Sequence, residues 1–223
     1  MAGSYLPNRY PDERSVNIRS PSSAAKHAYG GQRRAPGAAA IILICFWLAA
    51  LQTSPVTAQV ATYYTKKEAI ALAFPNGEAI IPIDLEFSDE MKAIIEKSAN
   101  VKMQRGVTDC YQGVVGTEIT AYACIDNMIG RERYITYLVR INHPQGEIAF
   151  LEVMEYREAV GAVVHYPHFT GHFIGKTARD PVWASKDIPK ISGATLSVDG
   201  LARGARKLLH LYHHYLRHLP VRR

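Results

Sequence analysis

From residue 60 onward the apolar positions change period several times, and each change marks an element. Ala69, Ile70, Leu72 and Ala73 recur at helical spacing behind Thr65-Lys66-Lys67-Glu68, which has the form of a capping box. That helix is predicted to stop at Phe74-Pro75-Asn76-Gly77, a breaker sequence. Ser88-Asp89-Glu90 opens a second helix, with acids at its positive end and Met91, Ile94 and Ile95 expected to face inward. Residues 106–116 read as loop and strand. The stretches 118–126 and 133–141, rich in Tyr, Thr, Ile and Val, read as strands. His143-Pro144-Gln145-Gly146 has Pro and Gly where a type I turn places them, so 147–155 is expected to return as the partner strand of a hairpin over 133–155. The longest periodic segment comes last: Val198, Leu201, Ala202, Ala205, Leu208, Leu209, Tyr212, Tyr215 and Leu216, with Ser197 as the expected N-cap. Helix, helix, strands, helix is the order of an α+β fold: an antiparallel sheet with flanking helices.

A different pattern precedes this. Residues 38–51 are an unbroken apolar run, with Arg33 and Arg34 before it and Val56-Thr57-Ala58 after it. Basic flank, short apolar core and small residues are the layout of a signal peptide, here over 38–58, with cleavage expected after Ala58. Fourteen residues rise only about 21 Å as a helix against a hydrocarbon core of about 30 Å, so an uncleaved membrane anchor requires residues up to Val60 as well. Residues 1–37, rich in Pro, Ser, Gly and Arg, read as a disordered basic N-terminal region. In either case the part beginning at Gln59 is expected outside the cytoplasm, in the periplasm or on the outer face of the cytoplasmic membrane.

Charge sharpens this division. The net charge of +6 resides in the ends: residues 1–37 carry six Lys/Arg and two acids, residues 201–223 carry six Lys/Arg and no acid, and residues 38–200 carry 14 bases against 18 acids. A weakly acidic body with basic ends lacks the continuous basic surface that phosphate contacts require, which excludes a dedicated nucleic-acid role. Of the three cysteines, Cys45 lies in the apolar run, while Cys110 and Cys124 lie in the exported part. An oxidising compartment would join the latter two; two buried free thiols satisfy the sequence equally. No Cys-x-x-Cys, paired carboxylates or nucleophile elbow is present, so thioredoxin-like, c-type haem and hydrolase chemistry have no support.

The chemistry-bearing segment is Ile191-Ser192-Gly193-Ala194-Thr195-Leu196-Ser197, directly before the last helix. Small residues leave the Thr195 hydroxyl accessible, and a helix start aims free backbone N–H groups at whatever sits there, an arrangement that suits a phosphate. On the residues alone this is an anion site or simply a small-residue helix start.

Ser192-Gly193-Ala194-Thr195-x-Ser197 resembles the flavinylation motif of the FMN-binding domain family, which includes the covalent-FMN subunits of sodium-pumping quinone reductases and Rnf-type complexes. The resemblance implies that a flavin transferase couples FMN through its phosphate to the hydroxyl of Thr195, with Ser192, Gly193, Ala194 and Ser197 completing the motif. The layout is similar too: an N-terminal export or membrane segment, an α+β domain outside the cytoplasm, and a late motif leading into a helix. Glu158-Ala159-Val160-Gly161 is similar to a Glu-x-x-Gly element that precedes the motif in family members, and the stretch 156–176, with Gly161, Phe169 and Gly175, is similar to small exported FMN-binding proteins. The resemblance covers roughly 63–211, within an expected domain of 59–219. It implies an electron carrier rather than a stand-alone catalyst, exchanging electrons with a membrane redox partner protein. Glu158 and Gly161 then border the cofactor, with the Gly161 loop admitting the ring's edge and Tyr166 or Phe169 stacking on it, while Lys190 and Arg203 screen the phosphate. One departure stands out: the family pattern has an Asp three or four residues before the motif Ser, whereas here those positions are Pro189 and Ile188, and Asp187 lies one residue further back. A flavin-free interaction or regulatory relative is the rival that this departure favours.

His210, His214 and His218 recur at i, i+4 and i+8, and His213 lies beside them. Two histidines at i, i+4 would suit Zn or Cu, which makes a periplasmic metal- or haem-binding protein the second rival. With no acidic or thiolate partner nearby in sequence, a solvated basic face is the plainer reading. Such a face would suit an anionic membrane surface or a partner subunit.

Overall fold

The structure, a computed structural model, describes residues 60–103, 107 and 109–222. The readings on 1–37, on the run 38–51, on Cys45 and on cleavage after Ala58 lie outside the described residues.

Six strands form one antiparallel sheet: β1 (Ala61–Thr62), β2 (Ala79–Ile83), β3 (Asp109–Val115), β4 (Glu118–Ile129), β5 (Tyr134–Asn142) and β6 (Ile148–Tyr156). Their order is β1-β6-β5-β4-β3-β2, so β2 to β6 run as a meander and β1 closes the edge beyond β6. Among the described residues four α-helices accompany them: α1 (Lys66–Ala73), α2 (Asp89–Ala99), the short α3 (Pro167–Thr170) and the 20-residue α4 (Thr195–His214). The architecture is α+β, as the order of periods predicts.

Both faces of the sheet are covered, which explains the unbroken buried run 121–126 in β4. Alternate residues of β4 join different cores. Tyr122 and Cys124 join a large cluster with Ile95 of α2 and Val198, Leu201, Ala205, Leu208 and Leu209 of α4. Ala121, Ala123 and Ile125 join a smaller one with Ala69 and Ala73 of α1. The period of two along a strand thus sorts one segment between two helical layers. Register shifts between Thr136/Tyr137 and between Arg140/Ile141 mark bulges in the β5–β6 pairing.

The expected caps hold in α1 and α2. Thr65 and Glu68 form the reciprocal capping box, and the Ser88 hydroxyl accepts the Met91 N–H at 3.1 Å. Three local expectations are corrected. Ile94 is 37% exposed, because Ile95 and Ala99 take the buried face of α2, with Met91 partly buried against the same core. The β5–β6 turn closes one residue wider than a type I turn: the Gly146 N–H donates to the Asn142 carbonyl at 2.8 Å, and the His143-Pro144 peptide is cis. The N-cap of α4 is Ala194, which places Ser197 at the third helical position with its side chain turned into the protein. Cys110 and Cys124 face each other in the β3–β4 register and form a disulfide across a Cα–Cα distance of 4.1 Å.

Candidate functional site

The first turn of α4 separates the motif residues by helical geometry. Successive residues turn by about 100°, so Thr195 and Ser197 point in nearly opposite directions. Thr195 and Leu196 are exposed, whereas Ser197 is 3% exposed. Ser192 and Gly193 are also exposed, Gly193 at φ +78° with open space on its Cβ side. The Ala194 N–H donates to the Ile191 carbonyl at 3.0 Å, which seats Ala194, 3% exposed, against the interior. No side chain caps the helix and no acid stands in its first turn. The positive end of a 20-residue helix therefore meets solvent beside the Thr195 hydroxyl, a setting that fits a phosphate.

Behind the motif lies a polar hinge that the sequence only partly indicated. The Tyr156 hydroxyl donates to the Val160 carbonyl at 2.5 Å and lies 2.7 Å from the Ser197 hydroxyl. A phenol has a single proton, so Ser197 donates to Tyr156. Gly161, at φ +91°, passes directly over this pair: a Cβ there would stand 2.7 Å from the Tyr156 oxygen, 3.0 Å from the Ser197 oxygen and 3.3 Å from the Ala194 Cα. Both the left-handed backbone and the lack of space demand glycine. This accounts physically for the Gly161 singled out in the sequence.

Glu158 is engaged by backbone donors. Its Oε1 accepts the backbone N–H groups of Arg131, Glu132 and Arg133 at 2.6, 2.8 and 2.9 Å. Burial works against its ionisation, but the three donors, helped by the Arg131 charge, hold its carboxyl below the usual range. Glu158 thereby fastens the β4–β5 turn to the loop after β6. The structure brings Glu158, Gly161, Ala194 and Ser197 into one packed unit, and it turns Ser192, Gly193 and Thr195 outward.

Several secondary expectations change. Phe169 is fully buried and packs edge-on against Phe173 at 5.7 Å, so it belongs to the core and has no face for a ring. Tyr166 is 49% exposed and lies 4.1 Å from His165, which stacks on Tyr63 at 4.0 Å. Arg203 sits two turns below Thr195 and donates to the Ile129 carbonyl at 3.1 Å, away from the helix start. Lys190 is exposed. Asp187 is committed locally: it accepts the N–H groups of Val182 and Trp183 at 3.1 and 2.8 Å and pairs with Lys176 at 3.1 Å.

The terminal histidines divide. The α4 helix ends at His214, and His218 falls in a separate 3-10 turn, Leu216–His218, so the i, i+4, i+8 row is broken. His210 and His214 stack at 6.0 Å. Among the described residues no group of three His, Cys, Asp or Glu is placed to hold a metal ion.

Sequence reasoning missed two buried cations. The Lys207 ammonium meets Asp126 at 2.5 Å, and the Tyr137 hydroxyl donates to the same carboxylate oxygen at 2.7 Å, with Lys207 and Asp126 almost wholly enclosed. Arg206 donates to the carbonyls of Ala99 and Val182 at 2.5 and 2.8 Å. Their only signal in the sequence is two charges next to the apolar stripe of α4, a pattern shared with any solvated flank.

No family model matches the chain, and no curated protein matches it. Among the described residues no helix is long and apolar enough to cross a membrane.

Proposed function

We propose that this protein is an exported electron-transfer flavoprotein that carries FMN on Thr195 through a phosphoester. The observation that carries the reading is where the fold puts the motif's three hydroxyls: Ser192 is exposed in the loop that precedes the helix. Ser197 is buried and hydrogen-bonded, while Thr195 stands free at the uncapped, acid-free start of α4. Thr195 is the motif hydroxyl that is both exposed and on the first turn of α4, where the free N–H groups receive the phosphate charge.

FMN supplies one- and two-electron transfer chemistry. The chain's own residues supply the attachment and its rigidity. Tyr156, Gly161 and Ser197 lock the loop after β6 to the helix start, and Glu158 locks that loop to the β4–β5 turn. A tether suits a compartment in which lost FMN is not replenished. The paired Cys110 and Cys124 suit the same oxidising compartment, the periplasm or the outer face of the cytoplasmic membrane, with residues 38–58 serving as signal or anchor. A membrane redox partner protein is then the source or recipient of the electrons.

The test is coexpression of the full chain with a flavin transferase, followed by denaturation and electrophoresis. Flavin fluorescence is expected to stay with the polypeptide, to vanish in Thr195→Ala and to persist in Ser192→Ala. A colourless polypeptide, or fluorescence retained by Thr195→Ala, overturns the assignment. The engagement of Asp187 inside its own loop favours the second reading, a flavin-free interaction module, because that carboxylate is not presented to a transferase. A colourless wild-type chain is the result that reading requires.

A further inference from the structure

Thr195 shares its face of α4 with a cleft. Asp199, Ala202, Arg203 and Arg206 follow Thr195 at i+4, i+7, i+8 and i+11, all within about 80° of it around the helix. Together with Trp183 and Ala184 they line a cleft of about 240 Å³. Ser197 points to the other side of the helix start, where Gly161 covers it.

The wall opposite α4 is built with unusual care. Val182 and Ser185 both have left-handed backbones, at φ +42° and +70°, a conformation that costs a β-branched residue in particular. Asp187 holds the loop in that shape through the N–H groups of Val182 and Trp183. Arg206 holds it from below, donating to the Val182 carbonyl with its guanidinium 4.3 Å from the centre of the Trp183 ring. The result of this fixing is an indole left 39% exposed at the edge of the cleft. A strained, clamped loop that presents an aromatic ring to solvent is a feature of binding sites rather than of cores.

We propose that the isoalloxazine ring of the FMN on Thr195 lies in this cleft against Trp183, with Arg203 at its polar edge. The proposal rests on the attachment argued above. Reach supports it: from Thr195 to Ala202 is about 10 Å along the helix axis, a distance suited to a ribityl-phosphate arm followed by a flat ring. Chemistry supports it as well, since an indole offers a large flat surface for stacking and a guanidinium favours uptake of an electron by a nearby flavin.

A stacked tryptophan quenches flavin emission, which provides the test. The full chain, loaded by coexpression with a flavin transferase, is compared with Trp183→Leu and Tyr166→Leu. Flavin bound per polypeptide is measured after denaturation, and emission is measured in the native state. Trp183→Leu is expected to raise native flavin emission severalfold at unchanged loading, and Tyr166→Leu is expected to leave it unchanged. As a check that does not depend on that variant folding, tryptophan emission of the loaded wild type is compared with that of flavin-free Thr195→Ala. The chain has only Trp47 besides Trp183, and emission is expected to rise when the flavin is absent. Absence of flavin on the denatured wild type overturns the attachment and the cleft together. Normal loading with emission that responds to Tyr166 and not to Trp183, or tryptophan emission equal in the wild type and Thr195→Ala, overturns the cleft alone.

Discussion

Individual side chains in this protein are tuned mainly by burial. The Glu152 carboxyl, on β6, has one oxygen enclosed without a hydrogen-bond partner among the described residues, and burial pushes it up to about 7 from 4.5. The native state therefore keeps a proton that the unfolded chain has released, so this group's contribution falls as pH rises from 4.5 to 7. His210 acts in the opposite sense. Burial first, then the neighbouring His214, His213 and Arg206, pushes it down to about 4 from 6.5, so its contribution is lost as pH falls between those values. The two slopes oppose one another where their ranges overlap. Glu152→Gln removes one of them, and its stability is expected to gain steadily on the wild type from pH 4.5 to 7 in urea unfolding at a series of pH values. A constant offset across that range would show that Glu152 is ionised in the native state. Neither group is legible from sequence: Glu152 sits among strand residues with no mark of burial, and His210 reads with its neighbours as a solvated face. Gly161 stands out in the sequence only through the resemblance of Glu158-Ala159-Val160-Gly161 to a family element; its left-handed, crowded position is a finding of the structure.

At the level of elements, α4 is seated on the sheet by polar as well as apolar contacts. Its Leu and Ala stripe was readable from spacing alone, since 3.6-residue periodicity needs no knowledge of the partner surface. The Lys207–Asp126–Tyr137 cluster was not, because it joins residues 81 apart whose proximity exists only once β4 and β5 lie under the helix. Gly204 allows the approach: a Cβ there would stand 2.3 Å from the Tyr137 oxygen. Burial first, then the Asp126 charge, raises the Tyr137 phenol well above its usual range, so it remains a donor. Asp126→Ala leaves the Lys207 ammonium enclosed without a counter-charge and is expected to cost about 3–5 kcal/mol in chemical denaturation. The double change Asp126→Leu with Lys207→Met is expected to recover most of that loss, since an apolar pair of similar volume removes both desolvation costs. A double variant no more stable than the single one would assign the loss to packing.

For the whole molecule, the disulfide ties covalent state to compartment. It closes a span of 14 residues, worth about 3 kcal/mol on chain-entropy grounds. Cys110 and Cys124 of chain recovered from outside the cytoplasm are expected to resist alkylation until reductant is added. Reduction is expected to lower the unfolding free energy by that amount; free thiols on the recovered chain would contradict export to an oxidising site. Periodicity, breakers and caps determined the α+β class, the hairpin over 133–155, the first two helices and the apolar stripe of the last, because these depend on residues close together in the chain. The small residues around Thr195 are likewise visible in order and composition, whereas their reading as a flavin motif rests on resemblance. The tertiary structure alone decided that Cys110 faces Cys124, that Ser197 turns inward while Thr195 stays outside, that Glu158 serves three backbone amides, and that Trp183 is held over a cleft on the Thr195 side of α4. Each of these depends on which distant segments pack together and on how far around a helix a residue turns, and neither is written in local order.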